Sequence, residues 1–313
     1  MSFIKLGNRL VTVNGLVGKI NTGWNLLSDV SNLQNATFAN NFIYVEDGNN
    51  IYKTQDGKNI SNIYTTISPL YNVSGLINDG SNIYFFEDYS INEQQFIKKI
   101  DNSDTLSTEY TPLKTNPRHS SSIYRNNNHI YFFPDNSSGG SDLKVKTTSW
   151  STRSSSNYSI AGSSDINCFF ELNNVCYHTR VMMDSDGEKG IGIYDGGNTM
   201  AFFTGSTDIY YNFKDSFHYN NKQYIITSSN IYSFDSNGLN KLNVDSLSTN
   251  MERIGIDING NIFIGCTNYK IYRLSDDSWI EELSNINPLR FGIFNEELYL
   301  ISNIGIHKRT KII

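Results

Sequence analysis

Asn41-Phe-Ile-Tyr-Val45, Asn82-Ile-Tyr-Phe-Phe86, Asn128-His-Ile-Tyr-Phe-Phe133 and Asn261-Ile-Phe-Ile264 are versions of one phrase, an asparagine turn followed by a short β-branched and aromatic run. The phrase returns in looser form as Gly7-Asn-Arg-Leu-Val-Thr-Val13, Asn174-Val-Cys-Tyr177, Asn221-Lys-Gln-Tyr-Ile-Ile226 and Glu297-Leu-Tyr-Leu-Ile301, which makes eight copies. With Leu10, Ile43, Ile83, Ile130, Val175, Gln223, Ile262 and Leu298 as markers, successive spacings are 33, 40, 47, 45, 48, 39 and 36 residues. A repeat of that period marks a chain assembled from similar supersecondary units.

Each marker strand, B, has the same neighbours. A strand A precedes it: Phe3-Leu6, Thr37-Ala39, Gly75-Asn78, Ser122-Arg125, Cys168-Leu172, Ser216-Tyr219, Ile254-Ile258 and Phe291-Phe294. A strand C follows, clearest in Ile51-Tyr52-Lys53, Ile231-Tyr232-Ser233 and Ile271-Tyr272-Arg273, and a weaker strand D holds all three tryptophans, Trp24, Trp150 and Trp279. Short strands joined by Asn-Asn, Asn-Gly and Asp-Gly turns, which tolerate positive φ, form antiparallel meanders. One meander cannot bury both of its faces, but meanders set radially cover one another.

The chain therefore resembles β-propeller repeat proteins over nearly its whole length. That resemblance implies an all-β fold: a single β-propeller over residues 1–313, with blades of three to four antiparallel strands. Eight blades are expected, with seven as the alternative if residues 1 to about 30 serve partly in closure. The last unit ends after strand C, so its fourth strand is absent or is supplied by Phe3-Leu6. Kelch Gly-Gly pairs and WD40 Trp-Asp endings are missing. Thr54-Gln-Asp-Gly-Lys58 and Asp235-Ser-Asn-Gly-Leu239 resemble pieces of the Asp-box turn of sialidase-like propellers without its aromatic residue, and read more simply as self-satisfying hairpin loops.

Composition narrows the function classes. The 313 residues carry 31 acidic and 25 basic side chains, a net charge of -6, with 13% aromatic residues. Mean hydropathy is -0.41. No apolar run approaches the length of a membrane span, and no basic excess suits a nucleic-acid backbone. Neither membrane insertion nor nucleic acid is expected. Alanine occurs only at Ala36, Ala39, Ala161 and Ala201, which argues against long helices. Scarce Ala beside abundant Asn, Ile and Tyr also resembles translation of an AT-rich genome. The N-terminus shows no secretory h-region.

Catalytic motifs are sparse. Cys168, Cys176 and Cys266 lack C-x-x-C spacing. A hairpin turning at Asn173-Asn174 opposes Glu171 to Cys176 rather than pairing Cys168 with it, so three free thiols and a reducing compartment are expected. The five histidines form no H-E-x-x-H, and nucleophile-elbow, P-loop and dinucleotide motifs are absent. No metal and no cofactor is expected.

Two sets of residues are candidate binding groups. In units 3, 4 and 5 the B-to-C connections are long, and adjacent long loops form a wall containing Asp88, Tyr89, Asp135, Asp142, Met182, Asp184, Asp186 and Glu188. Asp184-Ser-Asp186-Gly-Glu188 imitates the start of an EF-hand loop, but Asp195 stands where the bidentate Glu belongs, so it reads as a solvated acidic turn. The alternative set is Arg118, Arg253 and Arg290, at or just before A strands, a cationic mouth suited to a carboxylated sugar. The expected function is non-enzymatic recognition of a protein or cell-surface glycan. Lack of a signal segment and the Asn-rich style resemble a phage or phage-like tail or baseplate component, made in the cytoplasm and carried in a virion with other tail subunits. A sialidase-like glycoside hydrolase and an interaction scaffold within a larger assembly are the competing classes.

Overall fold

A computed structural model describes residues 3–6, 9–12, 17–19, 23–89, 94–110, 122–126, 129–133, 143–146, 150–153, 158–160, 169–173, 175–183, 189–194 and 200–310. Most of these residues are strand, the rest being turns and connections with one short helix, Thr207–Asn212. The strands pair antiparallel in eight sheets: six of four strands, one of five and one of three. B strands begin at Arg9, Phe42, Ile83, His129, Val175, Lys222, Ile262 and Glu297, each within one residue of its sequence marker.

The turns explain the register. Asn40-Asn41, Asn220-Asn221, Asp276-Asp277 and Asn295-Glu296 each place two consecutive residues at φ between 48 and 63°. That is the twist-matched two-residue hairpin for which Asn and Asp are suited. The Asn173 hairpin opposes Glu171 to Cys176, as the spacing requires. Asp56 accepts the amides of Lys58 and Asn59, and Asp235 accepts that of Asn237, so both Asp-box-like stretches are turns that satisfy their own backbone.

A second turn device is the hexapeptide Asp47-Gly-Asn-Asn-Ile-Tyr52, repeated as Asp79-Gly-Ser-Asn-Ile-Tyr84. In the first, Asp47 accepts the amides of Asn49 and Asn50, the Asn50 side chain and the Tyr52 hydroxyl. Asp79 does the same for Ser81, Asn82 and Tyr84. Gly48 and Gly80 supply the positive φ, 89 and 85°. Where the turn before Asn230-Ile-Tyr232 lacks its own aspartate, Asp208 on the helix reaches across to bind Asn230 and the Tyr232 hydroxyl.

A strands of successive sheets neighbour one another, except that Phe169–Leu172 meets strand B of the next sheet, Lys222–Thr227, and Pro288–Phe294 meets Asn35–Ala39 to close the ring. The core lies between sheets: Tyr44 and Ile51 pack with Val73, Leu76 and Phe85, while Ile226 and Ile231 pack with Met251, Ile254 and Ile264. Glycines permit the closest approaches, since a Cβ on Gly292 would lie 2.2 Å from the Phe38 ring, and one on Gly255 would lie 2.5 Å from Phe291.

Closure differs from the expectation. The fourth strand of the last sheet is Trp24–Ser28, not Phe3–Leu6, and it pairs with Gly305–Arg309. Phe3–Leu6, Arg9–Thr12 and Val17–Lys19 form the three-stranded sheet instead. Eight units thus give eight sheets, but the ring closes through seven of them. The seam has a chemical reason. Trp24 is buried edge-on to Phe263 at 5.8 Å, and its Nε1 donates to Glu282 at 2.9 Å. Glu282 also receives Arg273 and Arg309, and Arg309 reaches Asp257. Two guanidiniums and two carboxylates balance, with an indole donor completing the set.

No helix among the described residues is long and apolar enough to cross a membrane.

Candidate functional site

Strand length changes the reading of the loop wall. Ile83–Tyr89 and Gln94–Ile100 pair through to Tyr89 and Gln94, and Val175–Met183 pairs with Lys189–Tyr194 at Met182 and Lys189. Asp88, Tyr89 and Met182 therefore stand in prolonged hairpin strands, not in loops. The Ser74 hydroxyl donates to Asp88 at 3.0 Å, and Tyr89 stacks on Tyr71 with centroids 4.6 Å apart. Asp135, Asp142, Asp184, Asp186, Glu188 and Arg118 lie outside the described residues. Beside the second hairpin, Lys189 binds the Tyr211 hydroxyl and sits over the Tyr211 ring, 4.5 Å from its centroid.

Arg253 and Arg290 belong to a different place. Strands Phe213–Tyr219, Met251–Ile256 and Pro288–Phe294 each carry a register shift near the start: between Phe213 and Asp215, Met251 and Arg253, and Pro288 and Arg290. Such bulges re-aim the side chain that follows them. Here the three residues are Asp215, Arg253 and Arg290, brought together at one level of adjacent inner strands. Arg253 and Arg290 are each the third residue of an A strand.

These strands, with Asn35–Ala39 and Tyr71–Asn78, line a half-open cavity of about 230 Å³. Its lining runs from Asp215 and Arg290 near the strand starts, past Ile254, to Asn78 and His218 near the A-to-B turns. Side chains tie three pairs of neighbouring inner strands. Asn78 Nδ2 donates to Thr37 Oγ1 at 2.7 Å, Asp215 Oδ2 accepts the Ile254 amide at 3.1 Å, and Arg253 Nε donates to the Leu289 carbonyl at 2.7 Å.

The electrostatics of the level follow. Burial raises the Asp215 carboxyl above the usual range, opposed by the guanidiniums of Arg253 and Arg290 and by the amides of Ile254 and Ser216. Arg253 is also committed to the Glu252 carbonyl at 2.7 Å. Arg290 is exposed and lines the cavity. The site can hold a small polar group. Among the described residues, no three His, Cys, Asp or Glu side chains assemble as a metal site.

Asp215, Asn78 and His218 were missed by sequence reasoning. Asp215 and Arg290 each stand eight residues before their markers, Gln223 and Leu298, and Arg253 nine before Ile262. That alignment of charged residues was the available signal.

No family profile matches the chain, and no curated protein matches it in sequence. Solved structures do match in fold. A structure described as YCF48 bound to D1 peptide aligns with a TM-score of 0.57 and 10% identity over 92% of this chain and 94% of that one. The WD40 β-propeller domain of Doa1 aligns with a TM-score of 0.59 and 9% identity, over 90% and 93%. The extracellular domain of the BT3049 two-component system of B. thetaiotaomicron reaches 0.62 at 12% identity, covering 99% of this chain but 45% of its own. The chain has the β-propeller fold.

Proposed function

We propose that the chain is a non-catalytic recognition propeller whose cavity takes the end or one side chain of a peptide segment of a protein partner. The observation that carries this is the cavity itself: polar side chains from four sheets converge on one concave site, fixed by ties between inner strands. Such convergence on a rigid scaffold is the usual form of a binding site. The peptide-bound fold neighbour supports a peptide ligand. A glycan is the weaker reading, because sugar platforms need free ring faces. Tyr71 and Tyr89 cover one another, and Lys189 covers Tyr211. The Asn-rich, Ala-poor composition supports a phage or phage-like tail or baseplate setting, for which neighbouring tail and lysis genes are the check.

Selection of peptides from a displayed random library tests the reading. Peptides should be recovered that bind at micromolar Kd and lose binding in His218→Trp, which fills the cavity, but not in Tyr269→Ala on an exposed turn. Recovery of none, or equal loss in both variants, defeats it.

A further inference from the structure

We infer that Arg290 receives a carboxylate of the protein partner, from an acidic side chain or the C-terminus, inside the channel cavity. The inference rests on the recognition reading above and names the group recognised.

Three observations lead there. First, the bulges before Asp215, Arg253 and Arg290 set these residues at one level, where two guanidiniums against one carboxylate leave a net positive charge. The nearby Lys214 is paired with Glu252 at 3.0 Å and adds nothing to the balance. Second, the cationic groups differ in what they have left to give. Arg253 spends Nε and Nη1 on the carbonyls of Leu289 and Glu252, which fixes it as a strut between inner strands. Arg290 instead exposes its guanidinium to the cavity, with Asp215 close enough to bias its position. Asp215 itself faces the backbone, its oxygens taken up by the amides of Ile254 and Ser216. Third, about 230 Å³ admits one residue-sized group rather than a chain, so the ligand enters end-on or by one side chain. A planar fork of donors in a partly desolvated, net-positive recess is matched by carboxylate geometry.

The test uses small probes on the full chain: N-acetylglycine, its uncharged analogue N-acetylglycinamide, and methyl β-glucuronide, each titrated by ligand-observed NMR. N-acetylglycine should bind with a Kd of about 1–10 mM, and raising ionic strength from about 0.05 to 0.5 M should weaken it severalfold. N-acetylglycinamide should bind at least about tenfold more weakly. Arg290→Ala and Arg290→Gln should each abolish the preference for the carboxylate, and Arg290→Lys should retain part of it because the charge survives without the fork. Since Arg290 is exposed, all three variants should keep the wild-type melting temperature. Equal binding of acid and amide overturns the inference, as does an unchanged Kd in Arg290→Ala. Tighter binding of the glucuronide than of N-acetylglycine overturns the assignment to a protein partner. If library peptides bind in the cavity but ignore Arg290→Ala, the inference fails while the recognition reading stands.

Discussion

Glu46 is 1% exposed, and its Oε2 accepts the Gly48 amide at 2.7 Å. Burial pushes its carboxyl up to about 8, the Gly48 hydrogen bond opposing and the Asp47 charge assisting. A carboxyl raised in the folded state stays protonated while the unfolded chain has already lost its proton. Stability should therefore fall as pH rises from about 4.5 to about 8. Glu46→Gln keeps an acceptor for Gly48 without the titration, so urea unfolding of this variant at pH 5 and pH 9 should give a flatter dependence and higher stability at pH 9. His307 acts at the other limb. It is 4% exposed, contacts Ser302 Oγ at 2.9 Å, and burial lowers its pKa to about 4. As pH falls from about 6.5 to about 4 the unfolded chain gains a proton that the folded one does not, so stability is lost there. His307→Phe should flatten that limb. An unchanged slope in either variant would show that other groups control it.

At the scale of elements, the seam between Trp24–Ser28 and Gly305–Arg309 stands on Glu282, whose two oxygens serve Trp24, Arg273 and Arg309. Glu282→Ala leaves two partly buried guanidiniums without their main partner and should cost about 3–5 kcal/mol by chemical denaturation. Arg253→Ala, which removes an inter-strand strut, should cost about 1–3 kcal/mol. A loss below about 0.5 kcal/mol in either would mean that water replaces the lost contacts. The sequence exposed the repeats because period-2 apolar runs and turn residues are local signals, and every B strand starts where its marker places it. It did not expose closure: Trp24 was legible as a fourth strand, but which sheet it joins depends on Glu282, distant in the chain by 258 residues. The channel level was hidden for a similar reason. A bulge is one extra residue in one strand, so nothing in the spacing near Asp215 or Arg290 shows which way the side chain turns.

For the molecule as a whole, closure is open to a direct check. Asn25 stands opposite Lys308 in the seam. The double variant Asn25→Cys, Lys308→Cys should form an intramolecular disulfide under mild oxidation and raise the melting temperature, because the bond closes a very long loop. Lys5→Cys with Lys308→Cys should stay reduced. The reverse outcome would restore Phe3–Leu6 as the closing strand.

The two Asp-Gly-x-Asn-Ile-Tyr hexapeptides stand in different hairpins: the first joins strands B and C of its sheet, the second joins A and B of the next. Tyr52 thus follows its turn into a third strand and Tyr84 into a second, with the same aspartate contacts. The six-residue turn thus works at opposite ends of the sheets, so its geometry belongs to the segment itself and not to the place of its hairpin in the blade. Ser81→Asn, which makes the second hexapeptide identical to the first, should therefore leave the melting temperature unchanged.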